Sequence, residues 1–188
     1  MGPVDLTIDL ILRLARRRVC ALPGGKIPGL TAPELAGRTL GLIGFGQVGQ
    51  AVARRARFDL GMSIVVFTRS TVAPALLDRL SARQVDRIED LLAMADVVSL
   101  HCPSGPGNRH LIDAPRMDLM KEEAVLVNTA CAQLVDQTAL AQSLMFDMIG
   151  GAAMDRFDGA RLDPVLAHCD GLLRAGAAPT APTLTLVA

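Results

Sequence analysis

The sequence predicts an α/β fold: a doubly wound, mostly parallel sheet with helices on both faces. Three observations predict it. From Arg38 onward, short apolar runs alternate with helical stretches, the texture of strands buried on both sides by crossover helices. One run, Thr39 to Ile43, passes directly into a glycine-rich loop. The chain has 188 residues, 51% of them hydrophobic, which is material for one full core and fits a single domain with a short appendage.

The elements follow in order. Val4 to Arg18 reads as an amphipathic helix, with Leu6, Leu10, Ile11 and Leu14 on one face. Asp5 and Asp9 lie in its first half and Arg16, Arg17 and Arg18 at its end, matching the helix dipole. Residues 1–20 thus form an entering helix, and an apolar stripe at the end of a domain needs a partner, so a homodimer through this helix is expected. Residues 21–37, with Pro23, Gly24, Gly25, Pro28, Gly29 and Pro33, read as a loop or linker. In residues 38–174, strands are expected at Thr39–Ile43, Ser63–Thr68, Arg83–Val85, Val97–His101 and Ala124–Asn128, and more weakly at Gly151–Met154 and Leu172–Leu173. Helices are expected at Gln47–Leu60, Ala73–Leu80, Ile88–Met94 and Gln137–Met145. The tail, residues 175–188, is small, Pro-containing and unpatterned, and is expected to be irregular.

Composition excludes several function classes. Formal net charge is zero and no basic stripe survives the interleaved acids, so no nucleic-acid partner is expected. No apolar run reaches membrane-spanning length, and the N-terminus carries Asp5 and Asp9 without a basic leader. Cys20, Cys102, Cys131 and Cys169 form no C-x-x-C pair and no metal-type cluster. No metal site is expected, and free thiols suit a reducing cytoplasm.

The loop after Thr39–Ile43 reads Gly44-Phe45-Gly46-Gln47-Val48-Gly49, and a helix follows. Between a strand and a helix, each glycine of a G-x-G-x-x-G serves a separate purpose. Gly44 allows the tight turn, Gly46 the close approach of the backbone to a pyrophosphate, and Gly49 the packing of helix on strand. The helix N-terminus offers free N–H groups to the phosphates. About 20 residues further on, an NAD site ends its second strand with Asp or Glu. Here the strand ends Phe67-Thr68-Arg69-Ser70. Arg69 could pair with a 2′-phosphate, with Thr68 and Ser70 donating hydrogen bonds, which favours NADP over NAD; the plainer alternative is a solvated loop arginine.

The run from Glu34 to Gly49 resembles the start of the coenzyme domain of D-isomer-specific 2-hydroxyacid dehydrogenases. So do Ala95 to Pro103 followed by Asn108 to Ile112, the stretch Met120 to Ala130, and Gly150 to Asp155. The Val4 to Arg18 helix resembles the one that enters this domain. The resemblance implies a Rossmann-type NAD(P)-binding domain, like those of glyoxylate and hydroxypyruvate reductases. It implies backbone N–H groups of Gln47 and Val48 on the pyrophosphate, Cys102 and Pro103 against the adenosine, and Asn108 beside the cofactor. It places Thr129, Ala130 and Cys131 along the nicotinamide ribose and Asp155 at the carboxamide. His101 and His110 read as a strand-end and a loop residue, and His168 has no assigned role.

The sequence departs from that family at its chemistry. The Arg that binds the substrate carboxylate belongs directly after Asn128-Thr129-Ala130, where Cys131 stands. The Glu that orients the proton-exchanging His belongs near Ala160, and the His near Arg174-Ala175-Gly176. No catalytic residue is therefore assigned. A nucleophilic Cys131 is conceivable in a loop before a helix, but no base accompanies it. The chain begins at the entering helix, so the substrate domain is expected to be incomplete, with a separate partner supplying it as one option. Two readings follow: an NAD(P)-dependent 2-ketoacid reductase lineage inactive as this chain, or a non-catalytic dinucleotide-binding dimerisation module.

Overall fold

The computed structural model describes residues 2–20, 35–155 and 184–186. One seven-stranded sheet runs in the order β3-β2-β1-β4-β5-β6-β7. Its strands are β1 (Thr39–Ile43), β2 (Ser63–Phe67), β3 (Ala82–Val85), β4 (Val97–Leu100), β5 (Val125–Asn128), β6 (Gly151–Met154) and β7 (Leu184–Leu186). The first six are mutually parallel. The chain starts in the middle, winds outward through β2 and β3, then returns past β1 to β4, so strand order reverses between β1 and β4. That reversal opens a crevice at the carboxyl ends of these two strands. The helices are α1 (Pro3–Cys20), α2 (Gln47–Phe58), α3 (Pro74–Leu80), α4 (Ile88–Met94), α5 (Ala114–Met117) and α6 (Gln137–Met145).

Strand periodicity divides the core in two. Leu40, Leu42, Ile64, Val66, Val97, Val125, Val127 and Ala153 point into one cluster, which also takes Leu10, Ile11 and Leu14 of α1 and Val52, Ala53 and Ala56 of α2. Ile43, Val65, Val98, Leu100, Leu126, Ala152 and Met154 point into the other, with Leu91 and Leu92 of α4 and Leu140 and Leu144 of α6. This is the expected α/β architecture, and strands fully buried on both faces explain why they read as continuous apolar runs.

Three expectations need correction. The apolar stripe of α1 does not wait for a second chain: Leu10, Ile11 and Leu14 are at most 1% exposed within the single chain, because α1 lies on α2, β5 and β6. Helix α1 is thus packed on the sheet and helix of its own chain. The 175–188 tail is not wholly irregular, since Leu184–Leu186 pairs antiparallel with β6 (Ala153 opposite Thr185); three residues among small and Pro neighbours gave no periodic signal. Ala114–Met117 and the 3₁₀ turn Ala132–Leu134 were not anticipated, being too short for periodicity to show. The expected strand at Leu172–Leu173 lies outside the described residues, as do residues 21–34 of the expected loop.

Candidate dinucleotide site

Gly44 leaves β1 at φ +97° and donates its N–H to Phe67 O at 2.9 Å. It lies against the end of β4 so closely that a Cβ there would stand 2.7 Å from both Cys102 N and His101 C. A Cβ at Gly49 would stand 2.5 Å from Gly44 O. These two glycines are required by packing inside the chain, one by backbone sign and contact, the other by the seat of α2 on the loop. Gly46 is different: a Cβ there would meet no protein atom within 4 Å, and its own φ of −72° suits any residue. Among the described residues nothing gives a reason for a glycine at this position, so the room above its backbone fits a group from outside.

Gly46 is also the N-cap of α2, and no side chain caps it. The first turn of α2 carries no acidic residue, so Gln47, Val48 and Gly49 present helix N-terminal amides without a protein anion at hand. Gln50, in the same turn, donates its Nε2–H to Phe45 O at 3.0 Å and holds the loop. Sequence reasoning missed Gln50, whose signal is only its place one turn after Gly46.

A cleft of about 310 Å³ opens over this loop. Of the residues that the sequence singles out, Gly44, Gly46, Thr68, Arg69, Ser70, Cys102, Pro103 and Asn108 line it, together with Ile43, Phe45, Phe67, His101, Gly107 and Leu111. Its lining holds no carboxylate among the described residues, and Arg69, exposed at the exit of β2, is its charged group. The β2 exit is braced from β3: Gln84 Oε1 accepts from Val72 N at 3.0 Å and Gln84 Nε2 donates to Ser70 O at 3.2 Å. From the sequence, Gln84 reads only as part of a strand.

At the β4 exit, His101 forms part of the wall. Burial pushes its pKa from the ordinary 6.5 down to about 4, so it is neutral near pH 7, with Ser99 Oγ 2.9 Å from Nε2. Burial pushes the Cys102 thiol up, against the opposing charge of Arg69. Asn108 Nδ2 donates to Pro103 O at 2.5 Å, and Asn108 Oδ1 is enclosed without a hydrogen-bond partner among the described residues. His110 stays a loop residue at φ +50°, with Nδ1 3.6 Å from Asp136 Oδ2.

The remaining expected residues stand apart from the cleft lining, at the exits of β5 and β6. Asn128 ends β5 and shapes that exit: its Oδ1 accepts from Ala130 N at 3.0 Å and its Nδ2 donates to Cys131 O at 2.8 Å. The motif Asn-Thr at a strand end announces such a turn. Thr129 Oγ1 lies 2.8 Å from Thr7 Oγ1 of α1. Cys131 is a free, half-buried thiol packed against the α4–α6 core. Asp155 follows β6, with its N–H donated to Asn128 O at 3.0 Å. Among the described residues no group of His, Cys, Asp and Glu could hold a metal ion, and no helix is long and apolar enough to cross a membrane.

A family model described as D-isomer specific 2-hydroxyacid dehydrogenase, NAD binding domain, matches residues 13–173. The chain belongs to that family. It is 40% identical over 146 residues to (S)-sulfolactate dehydrogenase of Chromohalobacter salexigens, covering 77% of this chain and 47% of that relative. Among solved structures, the apo D-lactate dehydrogenase of Escherichia coli matches with a TM-score of 0.74 and 31% identity over 89% of this chain and 54% of that one. The NAD-complexed D-isomer specific 2-hydroxyacid dehydrogenase of Lactobacillus delbrueckii ssp. bulgaricus matches with a TM-score of 0.70 and 27% identity, over 84% of this chain and 50% of that one. The chain therefore spans about half the length of the relatives it matches, and the shared half is the family's NAD-binding domain.

Proposed function

We propose that this NAD-binding domain takes the adenosine and pyrophosphate of a dinucleotide in the cleft over the Gly44–Gly49 loop. The observation that carries this is Gly46, whose missing side chain serves no contact among the described residues yet opens onto uncapped helix amides. Gln47, Val48 and Gly49 supply the phosphate-facing N–H groups, and Cys102, Pro103 and Asn108 flank the adenosine. Thr129, Ala130, Cys131 and Asp155 take the nicotinamide half, which the switch-point geometry sends toward β5 and β6. When bound, the nicotinamide supplies hydride chemistry toward a small 2-keto or 2-hydroxy acid in this family.

We further infer NADP preference. The β2 exit offers Thr68, Arg69 and Ser70 and no carboxylate in the cleft lining, which suits a 2′-phosphate and lacks the acceptor a ribose 2′-hydroxyl would use. Nicotinamide fluorescence reports binding directly, since the chain has no Trp or Tyr. Gly46→Ala is expected to abolish NADPH and NADH binding while changing stability by less than about 1 kcal/mol; unchanged affinity would remove the cleft from the proposal. Arg69→Ala is expected to weaken NADPH and spare NADH, and equal losses would remove the 2′-phosphate role.

The chain alone is expected not to turn over glyoxylate, hydroxypyruvate or pyruvate. Cys131 lacks the two-pronged carboxylate contact of an Arg, and neither Ala160 nor Gly176 can exchange a proton. NADPH oxidation with each acid, with Cys131→Arg for comparison, is the assay; a wild-type rate of roughly 1 per second would mean other residues do the chemistry. Activity only on adding a second chain would make this one half of a split enzyme. Binding without turnover under all conditions would favour the non-catalytic module. The family resemblance implies a homodimer. The covered face of α1 adds no support to it, and sedimentation decides.

A further inference from the structure

Thr7 is fully buried in α1, and its hydroxyl makes two contacts. It donates to Pro3 O at 2.8 Å and lies 2.8 Å from the Thr129 hydroxyl, 122 residues away in the chain. A hydroxyl has one proton. Since Thr7 gives its proton to Pro3, Thr129 must donate in the second contact. The Thr129 side chain is thereby fixed against α1, and its remaining lone pairs can only accept.

The neighbouring backbone is fixed from the other side. Asn128, nearly fully buried, clamps Ala130 N and Cys131 O with its side-chain amide. The β5 exit is thus held between an Asn clamp within the loop and a threonine pair reaching to α1. The second half of a dinucleotide crosses this part of the sheet, so the cleft residues bear on one half of the ligand and this exit on the other.

We propose that Thr7 is a positioning residue: through its hydrogen bond to Thr129 it holds the β5 exit in the shape that receives the nicotinamide half of the cofactor, which makes α1 part of the binding machinery. This rests on the dinucleotide reading above, and ligand fragments separate the two. Adenosine diphosphate reaches only the half of the site over β1, β2 and β4, whereas NADPH and NADH reach both.

Thr7→Val keeps the shape and removes the hydroxyl. Its affinity for the better of NADPH and NADH is expected to fall about 2- to 10-fold, the worth of one hydrogen bond, while adenosine diphosphate binds as in the wild type. Thr7→Ser, which keeps the hydroxyl, is expected to restore dinucleotide affinity. Thr129→Val reaches the same bond from the other side should Thr7→Val fail to fold, and is expected to show the same selective loss. Equal losses for dinucleotide and adenosine diphosphate, or no loss for either, overturn the positioning role. A wild-type chain that binds neither overturns the dinucleotide reading and this proposal with it; a wild type that binds adenosine diphosphate while Thr7→Val keeps full dinucleotide affinity overturns this proposal alone.

Discussion

At the scale of single residues, His101 shows how position sets chemistry. It follows a strand whose residues are all buried, and burial alone takes its pKa from 6.5 to about 4. The folded state therefore prefers the neutral ring. Above pH 6.5 both folded and unfolded chains hold it neutral and stability is complete. As pH falls through 6.5 the unfolded chain takes up a proton that the folded chain refuses until about 4, and stability declines across that window by up to roughly 3 kcal/mol. Urea unfolding at a series of pH values should show this decline, and His101→Gln should remove that share of it. An unchanged pH slope in the variant would mean the ring titrates normally in the folded chain. The same neutrality leaves Arg69 as the cation of the cleft lining, which is why its replacement is expected to be felt so selectively.

At the scale of elements, small residues decide where helices can sit. A Cβ at Gly41, in the middle of β1, would stand 2.5 Å from Leu91 Cδ2 and 2.9 Å from Ala95 Cβ; α4 rests directly on the backbone of that strand. Gly41→Ala is expected to cost about 1–3 kcal/mol through overpacking, read as a lowered melting temperature, with dinucleotide affinity largely retained because the loop itself is untouched. A neutral result would show that α4 can slide outward at no cost. The need for Gly44 and Gly49 was legible in the sequence because a known loop pattern surrounds them. Gly41 carried no such signal, since the residue it must accommodate lies 50 positions away. The elements β1, β2, α2, α4 and α6 were legible within a residue or two, the strands as continuous apolar runs and the helices by the apolar stripe that each buries. The short α5 and β7 were not, because neighbours, not local pattern, hold them.

At the scale of the whole molecule, α1 closes the α2 side of the sheet. Leu14 is fully buried there, and Leu14→Ala is expected to lower stability by about 2–5 kcal/mol. Because the contact lies within one chain, that loss should be the same at low and high protein concentration. A loss that disappears at high concentration would place the helix between chains instead.

The sequence by itself determined the winding of the sheet, the glycine loop and the lack of a carboxylate at the β2 exit. Each of these is written in residue type at short range, where periodicity and turn chemistry act. Only the tertiary structure decided that α1 covers its own sheet, that Gly46 alone among the loop glycines opens onto empty space, and that Thr7 meets Thr129. An amphipathic stripe states that a face will be buried but not by what, and a hydroxyl states that it can bond but not to whom. Those partners are chosen by packing between distant segments, which residue type does not encode.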